Sequence, residues 1–142
     1  MRALLLAVFA LAACAATPPA SGGSELAQQI RADLDNIERE LRMPGTASAG
    51  FNETADLGGG LTVRPIEVKE DSRCAGNVTC FWEGRLVVRA DVSGTERDLT
   101  LGQTLETPQG TVVFAVARPG AWAEWPESEV ARPAYRFGFR RG

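Results

Sequence analysis

The chain has 142 residues, with 15 Lys+Arg against 18 Asp+Glu, a formal charge of −3, and no histidine. A mildly acidic balance argues against nucleic-acid binding by electrostatics. Without histidine the commonest general base is missing, and Ser-His-Asp and Cys-His sites are excluded.

Met1 to Cys14 reads as a targeting segment. Arg2 supplies a positive start, and Ala3 to Leu11 form an apolar run too short for the roughly 20 helical residues that span a bilayer. Leu11-Ala12-Ala13-Cys14 resembles a lipobox, the bacterial signal at which cysteine is acylated and becomes the new N-terminus. The bland alternative is an ordinary signal peptide cut at an Ala-x-Ala-like site. Acylation would also account for the odd one of three cysteines. The expectation is a lipoprotein signal peptide over 1–13, a lipidated Cys14, and a tether of small residues and prolines over 14–23. Removal of Arg2 leaves 14 bases against 18 acids, a formal −4. Ala15 stands where aspartate would favour inner-membrane retention, so resemblance to sorted lipoproteins implies the outer membrane, facing the periplasm.

Residues 24–43 read as one amphipathic helix. Leu26, Ile30, Leu34, Ile37 and Leu41 make a single stripe, with Gln28, Arg31, Asp35 and Arg39 on the far side. Ser24 suits the cap, Asp35/Arg39 and Glu38/Arg42 are acid-before-base pairs, and Pro44-Gly45 stops the helix. An isolated helix of this length is marginal in water, so the stripe must pack on its own domain or on a partner helix.

Period two then takes over, and 46–142 is expected to form a β-domain. Phe51 to Leu57 suggests an edge strand, and Gly58-Gly59-Gly60 a turn. Leu61 to Val63 and Ile66 to Val68 are out of phase around Pro65, which implies a bulge. Trp82, Gly84, Leu86, Val88, Ala90 and Val92 share one strand face. Ser93-Gly94 turns that strand into a partner over Arg97 to Leu101. Thr111 to Ala117 carries apolar residues on both faces, which suits a central or doubly covered strand, and Tyr135, Phe137 and Phe139 mark the last strand. Short strands without crossover helices argue a mainly β fold: a small antiparallel β-sandwich or barrel preceded by the helix.

Between two of these runs lies Glu70-Asp71-Ser72-Arg73-Cys74, five residues, then Cys80-Phe81-Trp82-Glu83-Gly84. The turn residues Asp71, Ser72, Gly76 and Asn77 bring the cysteines close, so a Cys74–Cys80 disulfide is expected, worth roughly 2 kcal/mol for so small a loop. A redox pair is a weaker alternative, since the spacing is not Cys-x-x-Cys. Zinc lacks ligands, and no metal or cofactor is implied.

This motif resembles that of a family of uncharacterised bacterial secreted and lipid-anchored β-domains, with Ala75 where many members have proline. Over roughly residues 48–140 the resemblance implies a small all-β fold and an envelope location. It carries no catalytic residue.

Arg118 to Pro133 is a long connection, stiffened by Pro119, Pro126 and Pro133 and holding Trp122 and Trp125 among Glu124, Glu127 and Glu129. Tryptophan is favoured at binding hot spots. Trp122, Trp125, Glu124 and Glu127 are therefore candidate binding residues for a cationic or sugar-like ligand. The bland alternative is that both indoles fold back as a lid on the β-domain. Glu70, Asp71 and Glu83 are the remaining acids that could serve a hydrolase or calcium, though adjacent acids usually solvate a turn. The leading expectation is a non-catalytic binding or interaction module held on the membrane by an acyl anchor. Its partner would be an envelope protein or a small ligand. The alternatives are a structural component contacting a partner through its helix, and a carboxylate-dependent hydrolase.

Overall fold

The computed structural model describes residues 23–142; the expected signal peptide, Cys14 and the tether up to residue 22 lie outside the described residues. Helix α1 spans Glu25–Leu41. Ser24 caps it, its hydroxyl accepting from the Ala27 N–H at 3.2 Å, and Glu25 lies in the first turn, where an acid suits the helix dipole. Of the expected stripe, Ile30 and Leu41 are buried, joined by Ala27, while Leu26, Leu34 and Ile37 are half-buried. Glu38 pairs with Arg42 at 3.4 Å, whereas Arg39 donates to Asn36. The stripe packs on the protein's own β-domain.

Eight strands follow: β1 Thr46–Ala49, β2 Ala55–Asp56, β3 Thr62–Asp71, β4 Leu86–Val92, β5 Thr95–Thr100, β6 Thr104–Thr107, β7 Gly110–Arg118 and β8 Arg136–Arg141. They form two four-stranded antiparallel sheets, ordered β1-β8-β7-β6 and β2-β3-β4-β5. The sheets face each other as a sandwich rather than closing into a barrel. Leu61, Val63, Leu86, Val88 and Ala90 meet Val112, Phe114, Phe137 and Phe139 in one core, and all nine are fully buried.

The strand over Thr111 to Ala117 is β7, and it is central, pairing with both β6 and β8. A bulge between Phe114 and Val116 sends Ala117 into the core and leaves Val116 outside it. Val116 lies instead under the helix, beside Gly138. A Cβ at Gly138 would come within 2.4 Å of Val116 Cγ1 and 3.1 Å of Leu41 Cδ2, so the missing side chain is what lets α1 settle on this sheet.

Other expectations shift. The edge strand over Phe51 to Leu57 is instead a turn followed by β2. Asn52 takes a φ of 61°, and the Glu53 carboxylate accepts from the Gly50 N–H at 2.9 Å. Those polar residues serve turn chemistry, not strand alternation. β3 carries the bulge expected at Pro65 and a second between Val68 and Glu70. Ser93 and Gly94, with φ of 49° and 89°, make the expected hairpin turn. Trp82 is not on the core face of β4. That strand starts at Leu86, where pairing with Asp71 ends the ladder, and Trp82 is 68% exposed.

Candidate functional site

One end of the sandwich gathers nearly all the unusual residues. The end of β3, the start of β4, the end of β7 and the start of β8 meet there, and two long segments project from it. One is the disulfide segment between β3 and β4; the other is the connection between β7 and β8.

The disulfide segment is braced at its base. Cys74 and Cys80 are bonded, with Cα atoms 5.9 Å apart. The Arg73 guanidinium grips Asp71 with two bonds of 2.8 Å and donates to the Pro119 carbonyl at 3.1 Å. A rigid fork on a carboxylate is a strong, orienting contact. Tyr135, stacked on Phe137 at 5.6 Å, donates its hydroxyl to the same carboxylate at 2.7 Å. Burial pushes the Asp71 carboxyl up, but the bonds from Arg73 and Tyr135 outweigh it and hold the group below its ordinary value. Burial, then the bond to Asp71, pushes the Tyr135 phenol up.

Ser72 joins the two strand ends. Its N–H donates to the Arg85 carbonyl at 2.9 Å, and its hydroxyl donates to Glu70 at 2.8 Å while accepting from the Arg85 N–H at 3.1 Å. Hydrogen bonds from Ser72 and then Arg85 hold the Glu70 carboxyl below its ordinary value. Gly84 passes against the Ser72 backbone. A Cβ there would sit 1.5 Å from the Ser72 carbonyl oxygen, so no other residue fits without moving the chain. The segment also leans on its neighbour: the Gly76 N–H donates to the Ala121 carbonyl at 2.9 Å, and the Ala123 N–H donates to Asn77 at 3.2 Å.

Above this base stands an apolar tip. Phe81 is 98% exposed, Trp82 68% and Val78 48%. Lone exposed apolar residues are ordinary, but adjacent Phe and Trp on a fixed loop are not. The sequence signal was available: two aromatics lie between the disulfide and a glycine, two fixed backbone points. Alternation assigned Trp82 to β4 instead.

The other candidate residues are placed differently. Trp122 and Trp125 lie half-buried against the first half of α1, in a cluster with Ala27, Ile30 and Val130. The Trp122 indole N–H donates to Asp33 at 2.9 Å, and that of Trp125 donates to the Val130 carbonyl at 2.8 Å. The Arg132 guanidinium lies 4.8 Å from the Trp125 ring centre. Gly120 has no side chain because the Asp33 carboxylate occupies its place, 2.1 Å from where a Cβ would be. Glu124 and Glu127 are exposed, and Glu127 lies 3.6 Å from Arg132. A shallow cleft of about 170 Å³ separates the two segments, lined by Asp71, Arg73, Trp122, Arg132 and Tyr135 among others. Among the described residues no group of three or more His, Cys, Asp or Glu is placed to hold a metal.

No protein-family model, curated protein or solved structure matches this chain.

Proposed function

We propose that the protein is a lipid-anchored, non-catalytic binding module of the bacterial envelope, held by Cys14 at the outer membrane on its periplasmic side, and that the disulfide-closed tip is its contact surface. The observation that carries this is the exposure of Phe81 and Trp82 on a base fixed by the bridge, the Arg73–Asp71 fork and Gly84. Rigid aromatics supply contact area at low entropic cost, as binding hot spots require. The Leu11-Ala12-Ala13-Cys14 sequence supports the anchor, and resemblance of the cysteine motif to secreted and lipid-anchored domains supports the setting.

A hydrolytic role has less support. A carboxyl acting as acid catalyst needs a raised pKa, whereas Glu70 and Asp71 are both lowered and spent on ion pairs. The helix stripe, covered by this domain's own residues, leaves little apolar surface for a partner. The cleft beside Trp122 favours a second reading, in which a small sugar-like or cationic ligand rests there against Asp71 and Tyr135, although Glu124 and Glu127 are not among its lining residues.

The test is retention in native envelope. The full chain and a Phe81→Ser/Trp82→Ser variant are compared by intact mass and by crosslinking capture. Acylation at Cys14 in both, with capture lost only in the variant, is the expected result. Undiminished capture by the variant would refute the tip as the contact surface.

A further inference from the structure

We infer that the surface met by the aromatic tip is the phospholipid bilayer itself, with Phe81 and Trp82 seated in the headgroup region beside the protein's own anchor. This rests on the acyl-anchor reading above and names the partner of that same tip.

The geometry begins with where the chain enters the fold. The Ser24 N–H donates to Glu129 at 2.5 Å, and Arg31 donates to the Glu129 carbonyl at 2.9 Å. Farther along the helix Asp33 takes the Trp122 indole, Glu38 pairs with Arg118 at the end of β7, and Leu41 lies over Gly138. Only the second half of α1 therefore lies on the sheet. Its first half overhangs the end of the sandwich and is carried by the connection between β7 and β8. The disulfide segment projects from this same end, with Gly76 3.8 Å from the Trp122 ring as measured from its Cβ position. Chain entry and aromatic tip thus share one end of the molecule: Ser24 bonds Glu129, Trp122 and Trp125 pack with Val130 on the helix, and the disulfide segment bonds the same connection from Gly76 to Ala121 and from Ala123 to Asn77.

Cys14 to Gly23 is a span of nine residues, which can reach at most about 30 Å. An acyl group on Cys14 would hold this end of the fold within that distance of the membrane. The bilayer is then the partner at highest effective concentration. The tip's chemistry fits it: tryptophan prefers the membrane–water interface, and an amphipathic anchor is strengthened by a second apolar contact. The cations nearest the tip are already paired, Arg73 with Asp71 and Arg85 with Glu70 at 2.8 Å each, and Glu83 is exposed. Apolar insertion rather than attraction to anionic lipid should dominate, so the contact should change little with salt.

The experiment uses the full acylated chain in vesicles of phosphatidylethanolamine with a minor share of phosphatidylglycerol, some lipids brominated near the top of the acyl chain. The difference in emission between wild type and Trp82→Phe isolates Trp82, while Trp122 and Trp125 serve as internal controls. Trp82 should lose most of its intensity to brominated lipid, with the remaining emission unchanged and no loss of the effect at high salt. Flotation with vesicles but an unquenched Trp82 would overturn the inference and leave the anchor standing. Failure to float would remove the anchor and the inference together. In native envelope, a photoreactive benzoylphenylalanine replacing Phe81 should label lipid; a discrete protein adduct without lipid labelling would instead assign the tip to a protein partner.

Discussion

Two tryptophan-bearing segments leave the same end of the sandwich and use the residue in opposite ways. In the connection between β7 and β8, both indole N–H groups are spent internally and both rings pack on the helix. In the disulfide segment, Trp82 and its neighbour Phe81 face outward, and the bonding effort goes into the backbone beneath them. The first segment converts aromatic area into stability. The second holds aromatic area away from the fold, which contributes little to stability and leaves a surface for something else. Sequence composition points to the Trp122 region as the site, because two tryptophans and three acids cluster there. Solvent exposure points to the other segment.

The contrast breaks most readily at Gly84. Gly84→Ala forces a methyl group onto the Ser72 carbonyl, and we expect a loss of about 3 kcal/mol in urea unfolding, since the clash is with backbone. An unchanged midpoint would mean the base is not as tightly crossed as described. Trp122→Ala removes the clasp on the helix and should cost about 2 kcal/mol, less than a fully buried tryptophan because the ring is half-exposed. Amide exchange should quicken over Ala27 to Asp33 and stay slow in β7 and β8. Uniform quickening would show that the first half of the helix is not separately held.

Asp71→Asn should cost about 1–2 kcal/mol at neutral pH, discounted for partial exposure, and should loosen the disulfide segment without touching the clasp. The pH dependence has a definite sign. The folded pKa of Asp71 is lowered, so its contribution is present above the unfolded value and is lost as pH falls through the folded one, below about pH 4. The wild-type and variant stabilities should converge there. For Tyr135 the folded pKa is raised, so its contribution holds below about pH 10 and is lost as pH rises through the folded value. A gap between wild type and Asp71→Asn that stays constant from neutral to strongly acid pH would contradict the assignment. The smallest expected effect is that of Phe81→Ser with Trp82→Ser, within about 0.5 kcal/mol of wild type, since neither ring packs on the core.

Periodicity made the helix legible, since Ile30 and Leu41 show at helical spacing which face is buried. Strict alternation did the same for β8 and for β4 from Leu86 onward, while in β7 the bulge after Phe114 breaks it. The disulfide was legible because turn residues separate the only paired thiols of the β-domain. β1 was not: Thr46, Ala47, Ser48 and Ala49 are small, and the strand exists because β8 offers an edge to pair with. Trp82 was misplaced because alternation runs on through Gly84, whereas the chain contact at Ser72 interrupts the ladder. No local pattern encodes that long-range approach. Trp122 was legible as important but not as a helix clasp, because its partner Asp33 is 89 residues away.

The most direct test of the division of labour is a pair of thermal melts, Trp122→Ala beside Trp82→Ala, in the same buffer. For a domain of this size one kcal/mol corresponds to about 3–6 °C. Trp122→Ala should melt at least about 6 °C below wild type and Trp82→Ala within about 2 °C of it. Equal drops, or the larger drop in Trp82→Ala, would contradict the assignment of one segment to the fold and the other to the surface.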